Sequence, residues 1–254
     1  MEKKLYIVGI GPGKPEGMTL EAKRILEESD VLAGYPVYLE LIPTELRTER
    51  NGMPKQEIRS GMTKETERCR LALAAAAEGH IVSLVCSGDP GVYGMAGLAL
   101  SLRQEYPEVE IRVIPGVTAA LSGAALLGAP LIHDFAVISL SDRLTPWEKI
   151  EARLLHAAEA DFVIVLYNPE SKGRSGYLAK ACTLLMTKLS PDRPAALVRK
   201  IGREGEEVWT GTLEELKEQP ADMFTTVFVG NSTTVLQDSR MITDRGYTKK
   251  DARS

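Results

Sequence analysis

The sequence has little of what several functional classes require. It contains three cysteines, Cys69, Cys86 and Cys182, with no CxxC pair, and three histidines without ligand spacing. This scarcity argues against a disulfide framework and against a structural zinc site. We therefore expect reduced, mostly buried thiols, as in a cytosolic protein.

Long apolar runs and an excess of basic charge are also missing. No segment approaches the roughly 20 apolar residues of a membrane-spanning helix, and we expect neither a signal peptide nor membrane insertion. The formal net charge is −4, from 31 basic and 35 acidic residues. Because nucleic-acid binding needs a basic surface that neutralises phosphates, this balance argues against it. A local basic patch that binds an acidic small molecule is still compatible with this net charge.

Complete signatures of two common enzyme classes are absent as well. The first strand ends in Gly9-Ile10-Gly11-Pro12-Gly13, where the third glycine comes one residue early for a GxGxxG fingerprint and Pro12 removes a backbone donor. A nicotinamide dehydrogenase is therefore disfavoured, and without a GxSxG elbow so is a hydrolase. On spacing alone, this segment fits a tight turn and a ligand loop equally well.

Strands and helices alternate along the chain and predict an α/β protein. The first half has a parallel α/β pattern, and its first helix starts near an N-cap at Thr19. Residues 34–61 are predicted as loops with brief elements. Pro115-Gly116 interrupts this alternation. We therefore predict two α/β domains, residues 1–116 and 117–254. Strands are predicted at 5–10, 31–33, 81–86 and 111–114, with helices at 64–78 and from the turn at 87–91 to about 106.

The second half repeats the alternation of strand and helix. Two capping boxes are predicted, one at Thr145 with Pro146 at N1 and Glu148 at N3, the other from Thr212 to Glu215. The predicted strands are 135–140, 162–167, 195–199 and 226–229, and the predicted helices are 145–160, 176–189 and a short one after 212.

Residues 87–94, with the sequence SGDPGVYG, are the most informative loop of the first half. They follow a buried strand, at the edge where open α/β sheets bind ligands. An alternative is that Asp89 caps the next helix with Pro90 at N1. That alternative does not explain three glycines in seven residues, so we favour a ligand loop. Small residues at 115–120 also suit an adenosine-sized ligand, although Thr118 could merely cap a helix.

Polar residues follow the strands of the second half. The adjacent His133 and Asp134 are expected to lie in a loop without a catalytic role. Lys172 and Arg174 are candidates for binding substrate carboxylates, which arginine can do bidentately. A solvated surface is the alternative for them, and equally for Arg199, Lys200 and Arg203.

Taken in order, these motifs resemble the tetrapyrrole methylase family, also called class III S-adenosylmethionine-dependent methyltransferases. The resemblance rests on the loop 9–13, the sequence SGDP at 87–90, PGVTA at 115–119 and the strand that ends at Tyr167-Asn168. Residues 87–96, 133–147 and 167–171 further resemble the C17-methyltransferases of precorrin-3B or cobalt-factor III. Many family members carry Met-Gly where this chain has Asn168-Pro169, a departure that favours the C17 branch.

The resemblance implies two α/β domains with S-adenosylmethionine bound in a cleft between them and S-adenosylhomocysteine as a product. It also implies a tetrapyrrole substrate and a homodimer. By family position, the cofactor residues are Ser87, Gly88, Asp89, Val92, Thr118, Ala119, Tyr167 and Asn168. The loop Gly11, Pro12 and Gly13 is expected to face the macrocycle.

Further substrate contacts are hypotheses. Arg174 is the leading candidate for a substrate carboxylate, and Asp142, Ser139 and His133 are candidates for polarising the substrate, with no general acid or base assigned. The implied activity is cytoplasmic methylation of a corrinoid precursor at C17 with ring contraction, in cobalamin biosynthesis. Methylation at another position of the same pathway, or non-catalytic tetrapyrrole binding, are the alternatives. The sequence leaves open the cobalt-early and oxygen-dependent routes, and hence the metal state of the substrate.

Overall fold

The first strand, β1 (Lys4–Gly9), sends alternate side chains into two separate buried layers. Leu5 and Ile7 pack into one layer, and Tyr6 and Val8 into the other, as the period of two in a strand requires. A strand buried on both faces is typical of a parallel sheet covered by helices. The structure, a computed structural model, describes residues 3–171 and 173–247. The chain divides into two compact units, unit 1 (Met1–Ala119) and unit 2 (Ala120–Ser254).

Unit 1 is built on a five-stranded sheet of order β5-β2-β6-β1-β7 in which every described pairing is parallel. The predicted domain boundary after Gly116 stays a prediction. The strands of unit 1 are β1, β2 (Val31–Gly34), β3 (Glu49–Arg50), β4 (Met53–Pro54), β5 (Gln56–Arg59), β6 (Ile81–Cys86) and β7 (Glu110–Ile114). Its helices are α1 (Leu20–Glu28), α2 (Pro36–Leu39), α3 (Thr44–Arg47), α4 (Glu65–Ala77) and α5 (Ala96–Leu102), with 3₁₀ turns at Pro15–Gly17 and Arg103–Glu105.

The predicted start of α1 is confirmed. The Thr19 hydroxyl accepts a hydrogen bond from the Ala22 amide at 3.1 Å, and Ala22, Ile25 and Leu26 are buried. The region 34–61 holds more structure than predicted, since β5 joins the sheet as an edge strand beside β2. Its sequence, QEIR, is short and mostly polar. It therefore lacks the apolar run that identifies a buried strand.

Unit 2 contains a mixed sheet of order β12-β11-β13-β10-β9. Only β9 and β10 pair in parallel, and the other three neighbouring pairs are antiparallel. A second, three-stranded sheet has the order β14-β15-β8. The strands are β8 (Gly128–Ala129), β9 (Phe135–Ser139), β10 (Val163–Tyr167), β11 (Pro194–Arg199), β12 (Glu207–Thr212), β13 (Thr225–Val229), β14 (Thr234–Gln237) and β15 (Arg240–Thr243). The helices are α6 (Ala119–Leu127), α7 (Trp147–Glu159), α8 (Tyr177–Leu185) and α9 (Leu213–Leu216).

The two faces of the mixed sheet carry different helices. Side chains of α7, α8 and α9 pack into one core with Val227 and Val229 of β13. Phe228 points to the opposite face, where α6 approaches so closely that a Cβ on Gly123 would lie 2.9 Å from the phenyl ring. The small residues of α6 therefore permit close packing of helix and sheet.

One of the two predicted capping boxes is wrong. Helix α7 begins at Trp147, its N-cap is Pro146 in an extended conformation, and no side chain caps it. The predicted N-cap Thr145 thus lies one residue too early. The box at Thr212 is confirmed, since its hydroxyl and the Glu215 carboxylate bind each other's backbone amides.

The cysteine side chains lie in the interior, as the sequence predicts. Cys69, Cys86 and Cys182 are free and buried. Among the described residues, no helix combines the length and apolarity needed to cross a membrane. No group of three or more metal-binding side chains occurs within the same residues.

Candidate functional site

Three loops meet at the carboxyl edge of the parallel sheet in unit 1. They follow β1, β6 and β7, which are neighbours in the sheet. Gly11 and Gly88 exchange backbone hydrogen bonds of 3.2 and 2.7 Å. A Cβ on Gly116 would lie 2.1 Å from the Gly88 carbonyl oxygen, and a Cβ on Gly9 would lie 2.7 Å from the same atom. The loops therefore touch backbone to backbone, and glycine is needed where they do.

Asp89 ties two of these loops together. Its Oδ2 accepts a hydrogen bond from the Gly116 amide at 3.0 Å, and its Oδ1 accepts one from the Gly91 amide at 2.7 Å. The next helix, α5, begins only at Ala96 with Met95 as its N-cap. The alternative in which Asp89 caps a helix is therefore wrong. Its carboxylate shapes a loop instead.

The structure brings six of the eight predicted cofactor residues to this edge of unit 1: Ser87, Gly88, Asp89, Val92, Thr118 and Ala119. Gly88 has a φ of +68°, and an added Cβ would meet nothing nearer than the Thr118 Cα at 3.7 Å and the Ala119 amide at 3.8 Å. A Cβ on Gly88 would therefore be in ordinary van der Waals contact with the segment 117–119, without the clash that a Cβ on Gly9 or Gly116 would produce.

The loop predicted to face the macrocycle adjoins the same edge. Gly11 has a φ of +72°, which favours glycine, and is bridged to Gly88. Pro12 packs near Gly17, since a Cβ on Gly17 would lie 3.2 Å from the Pro12 Cδ. Gly13 follows directly. The predicted substrate loop and the predicted cofactor loop are therefore in direct contact.

The other two predicted cofactor residues lie in unit 2, where the parallel strands β9 and β10 end. The Tyr167 hydroxyl accepts a hydrogen bond from the Ala120 amide at 2.6 Å, which places it beside the start of α6. Asn168 has a φ of +52° and donates from Nδ2 to the Ser139 Oγ at 3.0 Å. The Ser139 Oγ also accepts from the Ser141 amide at 3.2 Å.

The remaining predicted substrate residues join this network. The Asp142 Oδ2 accepts a hydrogen bond of 2.6 Å from the Tyr177 hydroxyl, which raises the pKa of Tyr177. Arg174 Nη1 donates to the Leu140 carbonyl at 3.2 Å and lies 3.5 Å from the Asn168 carbonyl oxygen. Its Nε is buried without a hydrogen-bond partner. Ser139, Asn168 and Arg174 thus form one cluster. Asp142 is connected to it through Tyr177, whose ring centroid lies 5.8 Å from the Arg174 guanidinium.

Other candidates lie elsewhere or are already paired. His133 and Asp134 precede β9 and touch through Nδ1 and Oδ2 at 3.5 Å, both well exposed. Arg199 pairs with Glu207 across neighbouring strands, and the Arg203 guanidinium stacks over the Phe224 ring at 4.8 Å. Lys172 lies outside the described residues. We therefore build no site on these groups.

Sequence reasoning missed three residues that shape the two edges. No sequence pattern marks Tyr177 or Glu170 as a site residue, because the fold determines their partners. Tyr177 bonds to Asp142, and Glu170 accepts from the amides of Gly176 and Leu178. Gly116, two residues after the end of β7, belongs to the segment 115–120 that the sequence marked as suited to a small ligand, but its contact with Gly88 was not predicted.

A family model described as Tetrapyrrole (Corrin/Porphyrin) Methylases matches residues 4–217. A Salmonella typhimurium protein named probable cobalt-factor III C(17)-methyltransferase is 49% identical, over 96% of this chain and 99% of its own. A Sinorhizobium protein named precorrin-3B C(17)-methyltransferase is 40% identical, over 98% and 97%. A cobalt-factor III methyltransferase of Priestia megaterium, 44% identical, is longer, and this chain spans 46% of it.

Solved structures agree with these relatives. The crystal structure of the methyltransferase CobJ superposes with a TM-score of 0.85 and 36% identity, covering 94% of this chain and 99% of that chain. A uroporphyrin-III C-methyltransferase from Thermus thermophilus, complexed with S-adenosyl homocysteine, has a TM-score of 0.68 and 28% identity, covering 89% and 97%. Because the family model spans most of the chain and these proteins match nearly all of it, the chain belongs to the tetrapyrrole (corrin/porphyrin) methylase family.

Proposed function

We propose that this protein methylates a corrinoid precursor, precorrin-3B or cobalt-factor III, at C17 with contraction of the ring, in cobalamin biosynthesis. The observation that carries the proposal is the near full-length similarity to relatives named for this reaction. The glycine edge of unit 1, where the loops after β1, β6 and β7 meet at Gly9, Gly88 and Gly116, is intact. It supports a working enzyme over a carrier with a degenerate pocket.

The protein is an S-adenosylmethionine-dependent methyltransferase, as its family and named relatives are. The cofactor supplies an activated methyl group on a cationic sulfur. The chain's task is then to orient two ligands and exclude water, which contributes to catalysis through proximity. We propose that Ser87, Gly88, Asp89, Val92, Thr118 and Ala119 bind the cofactor in unit 1, and Tyr167 and Asn168 in unit 2. Asp89 acts by holding Gly91 and Gly116 in place.

For the macrocycle we propose Gly11, Pro12 and Gly13 in unit 1, with Ser139, Asp142 and Arg174 in unit 2. The Arg174 Nη1 donates to backbone carbonyls, whereas its Nε is buried without a hydrogen-bond partner. A substrate carboxylate beside the guanidinium would compensate its charge. No general acid or base is assigned.

The test uses S-adenosylmethionine with an isotopically labelled methyl group. The protein is incubated with cobalt-factor III and, separately, with precorrin-3B, and products are followed by mass spectrometry and absorbance. We expect one labelled methyl at C17 and the spectrum of a contracted ring with one of the two macrocycles, which also identifies the route. If S-adenosylhomocysteine binds but neither macrocycle gains label, the C17 assignment is wrong and another ring position becomes the hypothesis.

A cytoplasmic homodimer is part of the same proposal. It is supported by the family resemblance and by the free, buried cysteines. Light scattering during size-exclusion chromatography measures the mass in solution. A mass of one chain, rather than twice 27.7 kDa, would contradict the dimer without affecting the proposed reaction.

A further inference from the structure

One tyrosine in unit 2 contacts both ends of a loop. The loop, residues 142–147, leads from the region after β9 into Trp147, the first residue of α7. Tyr177, the first residue of α8, donates its hydroxyl hydrogen to the Asp142 carboxylate at 2.6 Å. The ring of the same tyrosine packs edge-on against Trp147, with centroids 4.9 Å apart and planes at 83°. The first and last residues of the loop are thus fixed by a single side chain.

The surroundings of Tyr177 are themselves held in place. The Lys180 ammonium lies 4.0 Å from the centroid of the Trp147 ring, and the indole Nε1 donates to the Glu151 carboxylate. On the other side, the Arg174 guanidinium lies 5.8 Å from the Tyr177 ring centroid. Cation–π and edge-to-face contacts favour one ring orientation. The loop therefore has a defined position at both ends.

The tip of this loop presents an apolar side chain to solvent. Leu144 is 99% exposed, more than any other large apolar side chain that the structure describes. Its neighbour Arg143 is also exposed. A lone exposed leucine needs no explanation, but this one is held beside Asp142 and close in sequence to the Ser139 cluster. An apolar tip next to a cation matches a flat tetrapyrrole with an apolar face and carboxylates on its rim.

We propose that Tyr177 is a positioning residue for the macrocycle: by fixing residues 142–147, it presents Leu144 to the face of the ring. This inference rests on the proposed function. It predicts that Tyr177 affects macrocycle affinity through the loop. Cofactor affinity is expected to be independent of it.

The test compares Tyr177→Phe, Leu144→Ala and the double variant in the full chain. Tyr177→Phe keeps the ring packing and removes only the hydroxyl. We expect each single variant to weaken macrocycle binding, measured by absorbance titration, about tenfold, the effect of one lost hydrogen bond or of partial burial of a leucine. The double variant should be little worse than either single one, because both act through one loop. The Kd for S-adenosylhomocysteine, measured by calorimetry, should stay within about twofold.

Tyr106→Phe is the matched control, since Tyr106 is half-buried in unit 1 and should leave both affinities unchanged. Unchanged macrocycle affinity in Tyr177→Phe, an equal loss of cofactor affinity, or multiplying effects in the double variant would each overturn the inference. Because binding is measured without turnover, the outcome is independent of methyl transfer. A wild-type chain that binds the macrocycle but transfers no methyl contradicts the proposed reaction alone.

Discussion

The loops at the carboxyl edge of the sheet in unit 1 and the loops after β9 and β10 in unit 2 are held together by different means. In unit 1 the loops touch through backbone atoms at Gly9, Gly88 and Gly116, with no room for a Cβ at Gly9 or Gly116. In unit 2 the loops after β9 and β10 are joined by side chains, such as the Asn168 amide on Ser139. Backbone contact tolerates no added atom, whereas a side-chain network loses one hydrogen bond at a time. The first edge should therefore fail abruptly and the second gradually.

The largest effect is expected from Gly116→Ala. The added Cβ would lie 2.1 Å from the Gly88 carbonyl oxygen and 2.7 Å from the Gly9 carbonyl carbon, so the backbone of at least two loops must move. Overpacking of this kind typically costs about 1–3 kcal/mol and occasionally more. We expect the free energy of unfolding to fall by about 3 kcal/mol and S-adenosylhomocysteine binding to be lost. Urea unfolding and calorimetric titration measure the two effects.

Gly97→Ala is the control for this change. Gly97 lies in α5 with no atom within 4 Å of the added Cβ, so alanine should stabilise the helix by about 0.5–1 kcal/mol. If Gly116→Ala unfolds at the same urea concentration as the wild type and still binds S-adenosylhomocysteine, the glycine edge is not the rigid feature inferred here.

A smaller effect is expected from Ser139→Ala in unit 2. The substitution removes the acceptor of both the Asn168 side-chain amide and the Ser141 backbone amide. Leaving part-buried donors unsatisfied costs about 1–3 kcal/mol. We expect a loss near the lower end of this range, with an intact fold and weaker macrocycle binding. Ser101→Ala, at an exposed position of α5, should change stability by less than about 0.5 kcal/mol. A loss for Ser139→Ala as large as that for Gly116→Ala would remove the contrast between the edges.

The same contrast explains what could be predicted from sequence. Glycines directly after buried strands are a local signal, so the family, the α/β class, the cofactor and the glycine edge could all be inferred, and the first three are confirmed. Tyr177 could not, because its contacts with Asp142 and Trp147 depend on how α8 packs beside α7. The mixed order of the second sheet was missed for a related reason: β12 is a half-exposed edge strand without an apolar run.

The smallest effect near neutral pH concerns two of the buried thiols, one in each unit. Burial raises the pKa of Cys86, which ends β6, to about 12, and that of Cys182 in α8 to about 12 as well. An unfolded thiol titrates near about 8.5. Between these values the unfolded state loses its thiol protons first. The contribution of the two thiols to stability is therefore constant below about pH 8.5 and falls as the pH rises above it. Urea unfolding at a series of pH values checks this sign.

Alkylation by iodoacetamide at pH 8 then compares the two edges, since only an opened and ionised thiol reacts. If unit 1 opens all at once, Cys86 should be labelled only as fast as that unit unfolds globally, whereas Cys182 can also react when α8 frays. Mass spectrometry of the two peptides gives both rates. Faster labelling of Cys86 than of Cys182 would mean that the backbone-packed edge opens locally, and that the side-chain network is the more rigid of the two.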